Sequence, residues 1–144
     1  METIRSERLK ARKEHFCNLC GRKILKGETY ERQTNKFDGR LYVWKSHLHC
    51  QDLCSKIWDF VDPDEGMTGD EFIDNIREIM DTFYCPYHCD KYEKETGDCK
   101  KGITFGESCI REFAKFMDKR ELRCIRDADG IPRWRVVEIE VKRN

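Results

Sequence analysis

An α+β fold is what this sequence predicts. The expected order is a knuckle, a β-hairpin and a helix at the N-terminal end, then helices, a cysteine-rich loop and a C-terminal β-hairpin. Three observations carry that expectation. The stretch Cys17-Asn18-Leu19-Cys20-Gly21 opens a segment that closes on His47-Leu48-His49-Cys50. Between Leu41 and Val61 the hydrophobic pattern changes from a strand period to a helical one. The chain of 144 residues carries nine cysteines, with 38% hydrophobic and 39% charged residues, so its apolar material is thin for an unaided core.

Each element follows from local signals. Two thiolates spaced as Cys17-x2-Cys20 sit on one tight turn and can face one ion, and Gly21 permits the positive φ such a turn needs. Thr29, Glu31 and Gln33 fall on one side of a strand, with Tyr30, Arg32 and Thr34 on the other. Asp38-Gly39 is a two-residue hairpin signal, and the residues from Leu41 to Lys45 favour β structure. From there Cys50, Leu53, Cys54, Ile57, Trp58 and Val61 form one apolar stripe of a helix. His47 and Cys50 then stand at the helix start, where N–H groups and the helix dipole favour thiolate. Cys17, Cys20, His47 and Cys50 are therefore the expected ligands of one zinc ion. His49 falls on the polar side and is expected in solvent. Cys54 is on the apolar stripe and is expected as a small buried hydrophobe, with ligation as its alternative role.

The spacing Cys17-x2-Cys20-x26-His47-x2-Cys50 resembles the treble-clef zinc fingers. It is similar to the finger of poly(ADP-ribose) polymerases, and Trp44 shortly before His47 resembles the first half of LIM domains. The resemblance covers residues 17–60. It implies a zinc that folds the chain and a binding role, since LIM fingers mostly bind proteins and the polymerase fingers bind DNA ends. The wider run from Cys20-Gly21 through Asp38-Gly39 to Cys50 also looks like small zinc proteins of phages and mobile elements.

The second half reads as a further module, residues 62–144, after a first module at residues 1–61. Thr68 and Glu71 have the spacing of a capping box. Phe72, Ile73, Ile76, Ile79, Met80 and Phe83 give the apolar face of the helix it starts. Cys85, Cys89, Cys99 and Cys109 then surround a polar loop, and Cys109 precedes a helix with Ile110, Phe113, Ala114 and Met117 inward. A loop with so little to bury needs a metal to order it, so a second zinc is expected at these four cysteines, with His88 as the alternative to Cys89. The tail reads as a hairpin about the Asp127–Gly130 turn. Val137, Ile139 and Val141 are its expected buried face, a bulge displaces Trp134 and Val136, and Cys124 lies in the core.

Charge and motifs bound the function. The formal net charge is zero. Residues 1–26 carry eight Lys/Arg against three Asp/Glu, while residues 62–98 carry three against twelve. No apolar run resembles a signal peptide or a membrane span, and thiols paired for metal suit a reducing compartment, so a cytoplasmic protein is expected. No HExxH, Gly-rich phosphate loop or GxSxG occurs, and four ligands leave no open metal position, so no enzyme is expected. An HNH-type nuclease would need an Asn near the histidines, and none stands beside His47 or His49. The expected function is a protein-binding adaptor or inhibitor. The alternative is a nucleic-acid binder using Arg5, Arg8, Lys10, Arg12, Lys13, Arg22, Lys23 and Lys26 to track phosphates.

Overall fold

The computed structural model describes residues 2–63, 66–88, 92–93, 98–99 and 107–139. The chain forms two units, Met1–Asn75 and Ile76–Asn144. The connector after residue 61 and the first half of the following helix thus belong to the N-terminal unit.

In that unit the first element is strand β1 (Glu2–Lys10), where a basic segment with no defined element is expected. Short strands β2 (His15–Phe16) and β3 (Lys23–Ile24) pair antiparallel and hold the knuckle turn between them. Strands β4 (Thr29–Phe37) and β5 (Arg40–His47) form the expected hairpin. Asp38 and Gly39 both take positive φ, 51° and 77°, the two-residue turn whose twist matches its strands. The sheet order is β1-β4-β5, all antiparallel. A register shift between Thr3 and Arg5 makes Ile4 the extra residue of a bulge, and Ile4 is exposed.

Helix α1 (Leu48–Val61) follows β5 without a loop. Its stripe is the expected one: Cys50, Leu53, Cys54 and Ile57 are buried, while Trp58 is partly exposed. Asp62 ends it in a left-handed conformation, its N–H donating to the Trp58 carbonyl at 2.8 Å. Helix α2 (Gly69–Phe83) starts at the expected cap, where the Glu71 N–H donates to Thr68 Oγ1 at 3.1 Å. The start of α2 lies against the knuckle: a Cβ on Gly69 would stand 2.5 Å from the Asn18 carbonyl oxygen. No side chain larger than hydrogen fits there without backbone movement.

The second unit holds the rest of α2, the short helix α3 (Cys85–His88), the two-residue strands β6 (Tyr92–Glu93) and β7 (Asp98–Cys99), helix α4 (Glu107–Met117) and the hairpin of β8 (Arg120–Arg126) with β9 (Pro132–Glu138). Ile76, Ile79, Met80, Ile110, Phe113 and Met117 are its buried core, as the two helical stripes predict. Tyr84 packs against Phe113 and Phe116 with ring centroids 5.4 and 5.1 Å apart.

The tail departs from its expected phase. β8 and β9 pair in regular register, with Leu122 opposite Val136 and Cys124 opposite Trp134, so no bulge is needed. Trp134 and Val136 share the face of buried Leu122, while Ile139 lies beyond the strand and is exposed. Val141 lies outside the described residues. Cys124 is exposed rather than in the core. A two-stranded hairpin has cover only where something packs on it, and Cys124 stands nearer the open turn than Leu122 does.

Among the described residues no helix is long and apolar enough to cross a membrane.

Candidate metal centre

The knuckle is shaped by its backbone before any side chain is considered. The Cys17 N–H donates to the Arg22 carbonyl at 2.8 Å and the Gly21 N–H to the Cys17 carbonyl at 2.9 Å. Gly21 takes φ 74°, which lets the chain turn back under its two cysteines. Asn18 then ties the turn to the hairpin. Its N–H donates to the Lys45 carbonyl at 2.7 Å, and its Oδ1 accepts from the Lys45 N–H at 2.8 Å. These two bonds set Cys17 beside the end of β5, where His47 leads into α1.

Cys17, Cys20, His47 and Cys50 converge there, with one donor atom from each and all within 4.8 Å of one another. Cys17, His47 and Cys50 are almost wholly buried and Cys20 is 9% exposed. Cys17 Sγ accepts the N–H groups of Cys20 at 3.5 Å and His47 at 3.4 Å. The imidazole is oriented from behind: His47 Nε2 donates to the Lys23 carbonyl at 2.9 Å. That bond leaves Nδ1 facing the sulfurs, 3.3 Å from Cys20 Sγ and 3.7 Å from Cys50 Sγ. A tetrahedral ion with bonds of about 2.3 Å to sulfur and about 2.0 Å to nitrogen sets its ligand atoms about 3.5–3.8 Å apart. The cluster can hold a metal ion, and its spacing is compatible with zinc.

The four groups perturb one another's protonation. Hydrogen bonds from Cys20 and Cys50 hold the Cys17 thiol well below the ordinary range despite its burial. Hydrogen bonding to Cys17 and Cys20, with burial, pushes Cys50 far up. Burial lowers the His47 pKa, but the bonds to Cys17 and Cys20 and the Cys17 charge outweigh it and raise it to about 10. One thiolate beside one imidazolium is tolerated. Three adjacent thiolates require a multivalent cation, which is the environment a divalent metal supplies.

The other expected residues fall as follows. Cys54 is buried four residues beyond Cys50, with its thiol 3.8 Å from Met67 Sδ, so it packs as a hydrophobe outside the cluster. Burial, with the charge of Glu31 added, pushes it up to about 12. His49 is half-buried rather than in solvent, because its ring stacks on His47 at 4.8 Å between centroids. Of the second set, Cys85 and Cys109 are half-buried at the starts of α3 and α4. Cys89 lies outside the described residues, and Cys99 ends strand β7. His88 packs its ring against Phe116 at 4.6 Å.

The eight basic residues are exposed, but they do not share one face. Strand alternation in β1 sends Arg5 to one side and Arg8 and Lys10 to the other. Arg5 pairs with Glu7 at 3.2 Å and Lys23 with Glu14 at 3.7 Å. Arg12, Lys13, Arg22 and Lys26 lie in the turns about the knuckle.

No protein-family model, curated protein or solved structure matches the chain.

Proposed function

We propose that this chain is a zinc-binding interaction module without catalytic activity, built on a treble-clef-like N-terminal unit, whose metal folds the chain and whose partner is a protein. The observation that carries this is the closed donor set. Cys17, Cys20, His47 and Cys50 supply three sulfurs and one nitrogen within 4.8 Å of one another, and the Lys23 carbonyl holds the imidazole in place. Structural zinc sites use four protein ligands, whereas catalytic ones keep a position open. A carbonyl that accepts from the other ring nitrogen, as the Lys23 carbonyl does here, is the usual support of a ligating histidine. Such a site contributes folding energy on the order of 10 kcal/mol near neutral pH.

The same reading extends to a second zinc at Cys85, Cys89, Cys99 and Cys109, to a cytoplasmic setting and to the small zinc proteins of phages and mobile elements. The pairing of Arg5 with Glu7 and of Lys23 with Glu14 favours a protein partner over nucleic acid, because paired cations release fewer phosphate counterions. Two measurements test the reading. Metal analysis should give two zinc ions per chain, and chelation should collapse NMR dispersion rather than remove an activity. Native dispersion after complete chelation would sink the structural role. Salt-sensitive binding of duplex or single-stranded nucleic acid would turn the choice to the alternative built on the eight basic residues.

A further inference from the structure

A cavity of about 690 Å³ lies within the N-terminal unit, between the inner face of the β4–β5 hairpin and α1 with the start of α2. Volumes of this order are those of binding clefts. The register explains its lining. Gln33, Asn35 and Phe37 project from one face of β4, and Trp44 and Tyr42, opposite Gln33 and Asn35 across the ladder, share that face and line the cavity with them. Trp58 comes from α1, Asp62 from its end and Glu71 from the first turn of α2.

Two features of this cavity point to a ligand. The first is Asn35, a polar side chain only 1% exposed, whose Oδ1 is shielded from solvent and has no hydrogen-bond partner among the described residues. An acceptor left so is costly, and native proteins provide a donor for it. The second is the sign and texture of the wall. Among the described residues that line it there are aromatic rings and the carboxylates of Asp62 and Glu71, but no lysine or arginine. An anion has nothing to pair with. A flat cation with N–H donors has all three contacts it needs: an aromatic face, a carboxylate and a buried acceptor.

We infer that the cavity framed by Asn35, Trp44, Trp58 and Asp62 binds the guanidinium group of an arginine from the partner protein. The inference rests on the interaction reading above and gives its partner a chemistry. The guanidinium stacks on indole and donates to Asn35 Oδ1, while the carboxylates neutralise it.

The test titrates the zinc-loaded full chain with N-acetyl-arginine methylamide, its citrulline counterpart and adenosine monophosphate. Proton–nitrogen NMR follows the Asn35 side-chain amide and the indole N–H groups of Trp44 and Trp58. Trp134, which does not line the cavity, is the internal control. Arginine should move the three cavity signals and leave Trp134 still. Citrulline, which keeps the shape and loses the charge, should bind roughly tenfold more weakly. Asn35→Leu should weaken arginine by a similar factor. If that variant fails to fold, Trp58→Leu at the partly exposed rim should give the same loss. Unmoved cavity signals with arginine would overturn the inference. So would equal binding of citrulline, preference for the nucleotide, or displacement of the peptide by a second copy of the chain as concentration rises. A protein partner captured through this unit but indifferent to arginine would overturn this inference alone and leave the interaction reading standing.

Discussion

His47 Nε2 donates to the Lys23 carbonyl at 2.9 Å, and this bond decides which edge of the imidazole meets the three sulfurs. It reaches from the end of one strand to the rim of the knuckle, so the ring cannot turn without losing that contact. We predict that zinc-loaded protein carries its imidazole proton on Nε2 alone, with Nδ1 bonded to metal. Long-range proton–nitrogen NMR of the ring reads this directly. A proton on Nδ1 in the loaded protein would mean that the ligand assignment is wrong.

Removing a ligand should unfold the N-terminal unit. Cys17→Ser or Cys50→Ser is expected to lose its zinc and its cooperative thermal transition. Zinc contributes on the order of 10 kcal/mol, and whole-domain stabilities are about 5–15 kcal/mol. Cys54→Ala removes only a packed thiol beside Met67 and should keep the metal, at a cost of about 1 kcal/mol. Metal loss in the Cys54 variant with retention in the Cys17 variant would reverse the assignment.

Gly69→Ala should destabilise, against its helical context. Alanine in place of glycine normally stabilises a helix by up to about 1 kcal/mol. Here the added methyl would lie 2.5 Å from the Asn18 carbonyl oxygen, which is backbone and is itself placed by the knuckle. The expected loss is about 1–3 kcal/mol, the usual range for overpacking, read from thermal or urea unfolding. An unchanged or raised melting temperature would show that α2 does not rest on the knuckle as described.

Cys54 should stay protonated where other thiols ionise. Burial and then Glu31 raise it from 9.0 to about 12. Between those values the unfolded chain has released a proton that the folded chain keeps. Stability therefore falls as pH rises through that window, and Cys54→Ala should flatten the fall. Alkylation followed by mass spectrometry near pH 9 should mark the exposed Cys124 and spare Cys54 in zinc-loaded protein. Equal labelling of the two would refute the burial of Cys54.

The first site and its frame are legible in the sequence because each depends on a local rule. Cys17 and Cys20 need only a tight turn, Asp38-Gly39 needs only positive φ, and Thr68 with Glu71 needs only the first turn of a helix. What the sequence hides depends on partners distant along the chain. Strand β1 is unreadable since it is an edge strand with charge on both faces, and the extra residue Ile4 breaks its alternation. His49 looks solvent-bound on a helical wheel, but it meets the ring of His47 two residues away because the helix begins there. Trp134 and Val136 are in phase with Leu122, and only the ladder between β8 and β9 reveals this. Asn35 reads as an ordinary polar strand residue until the hairpin and α1 enclose it.

The irregularity at Ile4 bears on how the molecule behaves at high concentration. An open sheet edge is a template for a neighbour's strand, and long flat edges polymerise. β1 presents such an edge, yet the inserted residue spoils its hydrogen-bond spacing, and Arg5, Glu7, Arg8 and Lys10 give any incoming copy a charged, misaligned border. On the opposite side, Asn18 already occupies both backbone groups of Lys45 on β5. The sheet is thus guarded at both flanks against fibrous self-assembly. Deleting Ile4 to restore alternation should raise the rate of thioflavin-positive aggregation, and an unchanged rate would show that the guard lies elsewhere.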